Sequence, residues 1–566
     1  MAFVPPALTT ITILPHGSRP GFPLVFDQQC QLVLATCLCS IKTQNGHFVF
    51  NPNFFLSVWL PLAAHRISIG NGCFSLESQL ELRENDSRAQ GWRTQKRGKF
   101  ATNRVECLLL SADRRYRFFD DQKEEGMSEN KGYRKNVELL GYHDLKERPG
   151  FQMAMQVVDD RYYLYVSHFR HSGWTIMEVT DPKKPRYVKF IEGPQLSGQV
   201  TNKIQVADGL MICALGTGIP FLHNIGWDDP YTAGVYIFDV KEDPENPKLL
   251  SFWNAGEPKP CDNICLGVHR FFYNGGRYVH LSSTCDGFSN MIYRILDIQD
   301  PTNPVEVGRW WMPEQWEQGI LDKEKPSNAF PLSNPGMHGP PYVKGNYAYC
   351  GYNGAGMVIL DISNMKLPKL VGQLRTYPLL GGKFSGARCH TVVPLSQKPF
   401  AIFTNEGERF PCLSKEVINN QAQPINILGM VDCSDVTDPT LVAVFPYPEV
   451  PEGFPYKNFN DCGLGCQGPF GPHNIHEPHD HPALEDRNDR LYCCYFHAGL
   501  RIYDISDPYV PKEIAYFIPP NPTKWCFENT YPGQMLATTE DVLVDRRGYI
   551  HMDTFHDGLY VLKCMV

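Results

Sequence analysis

The sequence predicts an all-β protein, a seven-bladed β-propeller, and three observations support this prediction. After residue 170 one phrase occurs seven times: usually a glycine, then an apolar run, a polar or acidic residue and Asp-Pro. The acidic residues taken to close the first six runs stand 61, 58, 64, 74 and 69 residues apart, a spacing that suits four-stranded blades. The last copy lacks the outer strand that follows the others. The predicted propeller covers residues 127–566.

Each copy of the phrase predicts one strand followed by a turn. Its apolar residues are rich in Val, Ile, Leu and Tyr, which favour strands. Asp-Pro then ends the strand, because proline cannot donate to a ladder. The seven copies are Gly173–Pro182, Gly234–Pro244, Ile292–Pro301, Gly356–Ser363, Gly429–Pro439, Gly499–Pro508 and the truncated Gly558–Val566.

The outer strands predict how the ring closes. Stretches such as Pro304–Trp310 and Pro368–Leu374 follow the turn and supply the outer strand of a blade. Asn136–Tyr142 resembles them and precedes the first blade. We expect this stretch to pair with the strand that begins at Gly558, because the pairing removes two exposed sheet edges, which otherwise invite aggregation.

Composition narrows the class of protein. The chain has 42% hydrophobic and 20% charged residues and a net charge of −8, values typical of a globular protein. It has no basic stripe with interleaved aromatic residues, which argues against a nucleic-acid partner. The apolar segment Phe54–Ala64 has 11 residues, too few to span a bilayer. The 19 cysteines include no Cys-x-x-Cys pair, so we expect free thiols and a cytoplasmic location.

Residues 1–126 repeat nothing found in the rest of the chain. Their beginning lacks the basic region of a secretory signal and contains Pro5 and Pro6. The residues that lead up to the first predicted strand are charged and poor in strand signal. We therefore predict an N-terminal extension that is disordered or loosely docked on the propeller.

Four histidines recur at the predicted openings of neighbouring blades. Each follows closely after a glycine, in Gly267-Val-His269, Gly336-Met-His338, Gly386-Ala-Arg-Cys-His390 and Gly471-Pro-His473. Inner strands of a propeller converge on its axis, so side chains from different blades can reach one ion. Neutral imidazole is a good ligand for iron, copper and zinc. We predict one divalent transition-metal ion at this site; the alternative is that these histidines cap inner strands or line a wet channel.

A second set of residues is predicted to surround the same pocket. His171, His497 and His556 each stand two residues before the glycine that opens a repeated strand, on the face where the inner strands begin. His476 and Glu477 lie in the loop with the highest density of histidines. Imidazole and carboxyl groups can move protons, so we predict catalytic roles for these five residues. Ordinary turn residues are the alternative for the three histidines.

The repeated phrase resembles the strand motif of the LVIVD-repeat proteins, and the resemblance covers about 430 residues. More distantly, the chain is similar to selenium-binding-protein-like and carotenoid-oxygenase-like seven-bladed metalloenzymes. The resemblance implies the propeller fold. For a four-histidine site it implies Fe(II) ahead of Cu, Mn or Zn. No motif in the sequence matches the glutamates that surround the ferrous site of the carotenoid oxygenases.

Together these features predict a metal-dependent oxidoreductase or oxygenase that acts on a small aromatic or terpenoid-like metabolite. The sequence contains no nucleophile elbow, P-loop, dinucleotide fingerprint or His-Glu-x-x-His motif, which removes most common hydrolases and dehydrogenases. Two alternatives stay open. One is a non-redox lyase, hydratase or isomerase that uses the ion as a Lewis acid, and the other is a propeller scaffold without catalysis.

Overall fold

In the computed structural model the chain forms two compact units, Met1–Gly126 and Met127–Val566. Side chains are described for residues 132–168, 170–218, 225–226, 228–256, 267–317, 336–375, 389–406, 427–459, 470–477, 481–524 and 536–566. Elsewhere the structure describes only the backbone of short strands.

In the N-terminal unit the structure describes seven short strands. The first five form one antiparallel sheet and the last two pair with each other. They are β1 Thr9–Ile11, β2 Leu24–Phe26, β3 Leu32–Leu34, β4 Cys37–Gln44, β5 His47–Phe50, β6 Ser68–Gly70 and β7 Cys73–Ser75. The rest of residues 1–126 lies outside the described residues, so the predicted disorder or loose docking of this extension stays a prediction.

The described part of the second unit forms seven four-stranded sheets, each of which is one blade, and one two-stranded sheet. Two strands that precede the first blade, β8 Tyr133–Lys135 and β9 Val137–His143, belong to the last two blades. Blade 1 contains β10 Gly150–Val158, β11 Arg161–His168, β12 Gly173–Glu178 and β13 Arg186–Glu192. Blade 2 contains β14 Ile204–Ala207, β15 Leu210–Leu215, β16 Gly234–Asp239 and β17 Lys248–Asn254. Blade 3 contains β18 Val268–Phe272, β19 Tyr278–Ser283, β20 Ile292–Asp297 and β21 Val305–Trp310.

The remaining blades follow the same order from the axis outwards. Blade 4 contains β22 Tyr342–Lys344, β23 Tyr347–Gly351, β24 Met357–Asp361 and β25 Lys369–Leu374. Blade 5 contains β26 Thr391–Pro394, β27 Phe400–Thr404, β28 Leu428–Asp432 and β29 Thr440–Val444. β30 Cys466–Gln467 pairs in parallel with β34 Gln534–Met535. Blade 6 contains β31 Arg490–Cys494, β32 Leu500–Asp504, β33 Lys512–Ile518 and β8, and blade 7 contains β35 Thr539–Val544, β36 Tyr549–Thr554, β37 Gly558–Cys564 and β9.

The innermost segment of blade 6 is joined to β31 by a bridge between Ile475 and Cys493. The described residues contain one helical turn, the 3-10 turn Pro313–Gln315. None of their helices is long and apolar enough to cross a bilayer.

The repeated phrase forms the third strand of each blade and the turn that follows it. In blade 4 the strand ends at Asp361, whose carboxylate accepts a hydrogen bond from the Ser363 N–H at 2.8 Å. Three residues further on, Asn364 accepts in the same way from the Lys366 N–H at 3.1 Å. Short polar side chains that bond the backbone two residues later favour turns over strands. The phrase therefore encodes two successive side-chain turns.

In blade 5 the closing residue is Asp432, and the sequence-based assignment to Asp435 is wrong. β28 ends at Asp432, which accepts from the Ser434 N–H at 2.8 Å. Asp435 takes the second turn position and accepts from the Thr437 N–H at 2.9 Å. Gly429 lies inside the strand, where it imitates the glycine that opens the other copies.

Every described blade has a β-bulge between its third and fourth strands. A bulge increases the local twist of a sheet. In three blades a glycine in the outer strand lies close to the turn of the next blade. A Cβ at Gly308 would stand 1.8 Å from the Met365 carbonyl oxygen, and one at Gly372 would stand 1.9 Å from that of Val436. These glycines allow neighbouring blades to pack backbone against backbone.

The predicted ring closure is confirmed. β9 pairs antiparallel with β37, with Val137 opposite Cys564 and His143 opposite Leu559. The sequence did not predict that β8 pairs with β33 and extends blade 6. Two consecutive N-terminal strands therefore hold the last two blades.

Candidate metal centre

The four predicted histidines stand at equivalent places in blades 3 to 6. His269 is the second residue of β18. The backbone N–H groups of the other three donate to the end of the second strand of their own blades, from His338 to Gly351, from His390 to Thr404 and from His473 to Cys494, at 2.8–2.9 Å. Because these bonds fix the same backbone position in each blade, the side chains all start at the same end of the axis.

The four rings form a continuous cluster. The ring centroids lie 4.5 Å apart for His269 and His338, 4.2 Å for His338 and His390, and 4.9 Å for His390 and His473. The structure thus brings together histidines from four blades that are far apart in the sequence.

Two glycines of blade 4 allow blade 5 to come this close. A Cβ added at Gly339 would lie 2.0 Å from the carbonyl oxygen of His390, and a Cβ added at Gly351 would lie 2.4 Å from the same oxygen. A real side chain cannot approach a backbone oxygen so closely. Alanine at either position would therefore displace His390 from its neighbours.

Two carboxylates border the cluster. Glu406 Oε1 lies 3.8 Å from His390 Nε2 and 3.7 Å from His473 Nε2. Glu540 Oε2 lies 3.3 Å from His473 Nδ1. Glu406 has a φ of +63°, a conformation that non-glycine residues seldom adopt and that often marks functional sites.

Three side chains of the cluster and its border bring donor atoms of a kind that binds metal ions close together. One atom each from His338, His390 and Glu406 lie within 4.8 Å of one another. Ligand atoms around an ion with bonds of about 2.1 Å stand roughly 3 Å or more apart, so a separation of up to 4.8 Å among these three atoms is close to that of metal ligands. Burial lowers the pKa of His473 to about 3 and that of His390 well below its usual value. Both imidazoles are therefore neutral at pH 7, with a lone pair available for a metal.

Arg270 follows His269 in β18 and spans the axis next to the cluster. Its Nη1 donates to the Thr391 hydroxyl at 2.8 Å and stands 3.4 Å from His390 Nδ1. Its Nη2 donates to Asn474 Oδ1 at 3.1 Å. A single guanidinium thus ties blades 3, 5 and 6 together beneath the histidine rings.

The axis also carries an unusual density of buried carboxyl groups. Burial raises the pKa of Glu540 to about 8 and raises those of Asp541 and Asp553, whereas burial lowers the pKa of Lys203. Among the described residues, the axial carboxyl groups outnumber the cationic side chains by five to two. They are Glu406, Glu477, Glu540, Asp541 and Asp553, against Lys203 and Arg270. Four of these carboxyl groups, Glu477, Glu540, Asp541 and Asp553, have raised pKa values and hold protons near neutral pH, and a divalent cation on the axis would favour their ionised forms.

Glu477 lies further along the same inner strand, four residues after His473, or about 13 Å along an extended chain. It accepts a hydrogen bond from the Tyr342 hydroxyl and one from Gln205 Nε2 at 3.5 Å. Burial raises its pKa to about 7. Glu477 borders a cavity of about 40 Å³, large enough for water. This carboxyl group can exchange a proton near pH 7, but at a distance from the histidine rings.

An aromatic wall, defined as Phe151, Phe496 and Phe555, adjoins the histidines. Phe496 stacks on His473 with ring centroids 4.4 Å apart. Phe555 lies 6.5 Å from Phe496, and Phe151 lies 6.2 Å from Phe555. Phe496 has a φ of +50°, so a strained turn aims this ring at the axis. The wall offers an apolar side to a site that is otherwise polar.

Two of the predicted catalytic histidines form hydrogen bonds to the backbone. Both ring nitrogens of His476 are engaged, by the Glu485 carbonyl at 2.7 Å and by the Val544 N–H at 3.1 Å. His476 therefore joins blades 6 and 7 and has no nitrogen left for proton transfer. His497 bonds the Phe459 carbonyl at 3.0 Å and packs against the Phe459 ring.

The other two predicted histidines lie apart from the cluster. Burial lowers the pKa of His556 to about 3, and its ring stands 6.4 Å from that of Phe555. His556 thus backs the aromatic wall. His171 is exposed on blade 1, where it borders a separate cleft with Arg148 and Arg170.

Sequence reasoning missed the axial charges. Arg270, Lys203 and the pair Glu540 and Asp541 are all buried. The sequence feature that could have revealed these residues is a charged side chain in or next to an apolar strand. Burial of such a side chain costs free energy unless the charge has a partner. Glu406 could be noticed only as a polar residue at the end of a strand.

The LVIVD repeat family matches residues 342–376, which comprise the four strands of blade 4. This match confirms the resemblance for that blade, and the likeness to selenium-binding and carotenoid-oxygenase enzymes stays a prediction. Among curated proteins no match to the sequence was found.

Several solved structures are similar to the chain at low identity. A functionally unknown protein from Desulfotomaculum acetoxidans DSM 771 shares 13% identity over 65% of this chain and 89% of its own, with a TM-score of 0.36. Sqt1 from Saccharomyces cerevisiae shares 10% sequence identity, covers 75% of this chain and 98% of its own length, and has a TM-score of 0.40. A streptogramin B lyase shares 10% sequence identity, covers 75% of this chain and 97% of its own length, and has a TM-score of 0.39. Likenesses this weak carry no conclusion about activity.

Proposed function

We propose that this protein is a metal-dependent enzyme in which His269, His338, His390 and His473 hold one divalent transition-metal ion, with Fe(II) favoured. Its activity is that of an oxidoreductase or oxygenase on a small aromatic or terpenoid-like metabolite. The observation that carries the proposal is the approach of four rings from four blades to centroid distances of 4.2–4.9 Å. The bound ion would activate oxygen or polarise the substrate.

The residues around the ring cluster have separate tasks in this proposal. Glu406, within 3.8 Å of two imidazole nitrogens, accepts a proton from the substrate or steadies the rings. Arg270 holds His390 in place from below through Thr391. The aromatic wall packs against a planar or apolar part of the substrate. Glu477 exchanges protons at the far end of the axis.

A non-redox lyase or isomerase is the second candidate, and the position of Glu406 favours it. A carboxylate next to a Lewis-acidic ion can remove a proton that the ion has made more acidic. This chemistry requires no electron transfer. Zinc or magnesium in the purified protein would support this candidate, whereas iron or copper supports the oxidative one.

The test is elemental analysis of the full chain purified without added metal. We expect about one metal ion per chain in the wild type and near-complete loss in the double variant His338→Ala/His390→Ala, because each substitution removes a ligand. His143→Ala is the matched control, since His143 lies in the outer strand β9. Unchanged metal content in the double variant would refute the site. If the wild-type protein contains no metal and binds none when metal is added, the result would favour a propeller scaffold without catalysis.

A further inference from the structure

A cleft of about 330 Å³ opens on blade 1, beside the connection to blade 2. Arg148 lies just before β10, and Arg170 and His171 lie in the turn between β11 and β12. Phe190 and Glu192 of β13 line the cleft beside these three residues. A volume of this size is at the lower end of ordinary small-molecule sites, about 300–1,000 Å³.

The cleft carries an excess of positive charge. Two guanidinium groups border it beside the neutral His171 imidazole, and Glu192 is the one carboxylate among its described lining residues. Partial loss of solvent around the His171 ring lowers its pKa, and both Arg148 and Arg170 lower it further. Each guanidinium is therefore close enough to His171 to act on its charge. Among the described residues, no carboxylate lies within 4 Å of Arg148.

The positions of these groups are fixed by the fold. The Arg148 guanidinium stands 4.2 Å from the centroid of the Phe190 ring, a cation–π contact that supports it along one wall. His168, beneath the cleft, has both ring nitrogens engaged, by the Pro149 carbonyl at 2.8 Å and the Thr175 hydroxyl at 2.7 Å. These bonds anchor both chain segments that carry the arginines. The Arg148 guanidinium is thus held in place before any ligand arrives.

We propose that this cleft binds the oxyanion of a small organic molecule, a carboxylate or a phosphate monoester, whose apolar part packs near Phe190. Arginine suits both groups because its planar fork of N–H donors matches their oxygens. The site needs neither the metal nor catalysis, so it stands independently of the proposed function. It gives His171 a role in ligand binding.

Binding to the full-length protein by calorimetry tests the proposal with four probes: phenyl phosphate, benzoate, inorganic phosphate and neutral benzyl alcohol. We expect both aromatic anions to bind and benzyl alcohol not to bind. The double variant Arg148→Gln/Arg170→Gln should weaken anion binding at least tenfold. Glu192→Gln should strengthen it about threefold, because it removes the opposing charge. The ratio of phenyl phosphate to benzoate affinity identifies which oxyanion the cleft prefers.

Two further variants make the test decisive. Phe190→Leu should weaken phenyl phosphate more than inorganic phosphate, because it removes the apolar contact to the phenyl group in addition to the ring that supports Arg148. His338→Ala/His390→Ala should leave anion binding intact, which separates this cleft from the metal centre. Equal binding of benzyl alcohol, or full affinity in the double arginine variant, would overturn the proposal. If that double variant fails to fold, an unchanged affinity in Glu192→Gln overturns it instead.

Discussion

At the scale of single residues, burial decides how the axial groups behave. Glu477 is half-buried, and the loss of solvent around its carboxyl group raises its pKa to about 7. In the unfolded chain the same carboxyl group titrates near 4.5. Between these two pH values the folded protein holds a proton that the unfolded chain has released. Glu477 therefore supports the fold fully below pH 4.5, and this support is lost as the pH rises through about 7.

Glu477→Gln should remove this pH dependence. The amide keeps the size of the side chain and carries no charge at any pH. Relative to the wild type, the free energy of unfolding of the variant should rise with pH, by an amount on the order of 3 kcal/mol between pH 4.5 and 8. Denaturant unfolding at several pH values measures the difference. Glu138→Gln, on the outer strand β9, is the control, and parallel pH profiles for Glu477→Gln and wild type would contradict the prediction.

At the scale of strands and turns, the repeated phrase and the bulge work together. In three blades a glycine next to the bulge in the outer strand contacts the side-chain turn that follows the third strand of the next blade. At Gly372 the Val436 carbonyl leaves no space for a Cβ, which would stand 1.9 Å away. Gly345, in contrast, has open space around it and a φ of +59°. The two glycines are thus required for different reasons.

Gly372→Ala should destabilise the protein more than Gly345→Ala. The first forces two blades apart, at a cost of about 2–4 kcal/mol for a backbone clash in a packed interface. The second costs about 1 kcal/mol, the strain of a side chain in the left-handed region. Thermal and denaturant unfolding of the two variants measure both values. Equal destabilisation would show that the contact between blades is not rigid.

The sequence could predict these strands because their pattern is local. Valine, isoleucine and Asp-Pro within ten residues define a strand and a turn without reference to the rest of the fold. The error at Asp435 has the same origin, since a glycine inside β28 imitated the start of the phrase. Side chains that meet across the axis leave no local pattern. The Gly-x-His spacing revealed the histidines, but nothing near Glu540 indicates a partner at His473 in another blade.

At the scale of the whole molecule, closure of the ring and assembly of the histidine cluster depend on each other. The rings meet only if seven blades complete a circle, and the circle is completed by β8 and β9 on blades 6 and 7. Without these strands, β33 and β37 present unpaired edges to solvent. Exposed strand edges promote association between chains. The strands that close the ring are therefore as necessary to the candidate metal centre as its ligands.

Removal of β8 and β9 should therefore abolish the fold, whereas removal of the preceding residues should not. We expect a chain that starts at Met127 to remain monodisperse and to show one cooperative unfolding transition, because it keeps every described strand of the propeller. A chain that starts at Asp144 should aggregate or bind no metal, since both outer strands are gone. Size-exclusion chromatography, thermal unfolding and metal content compare the two chains with the full-length protein. A folded, metal-binding chain from Asp144 would show that the ring holds without its N-terminal closure.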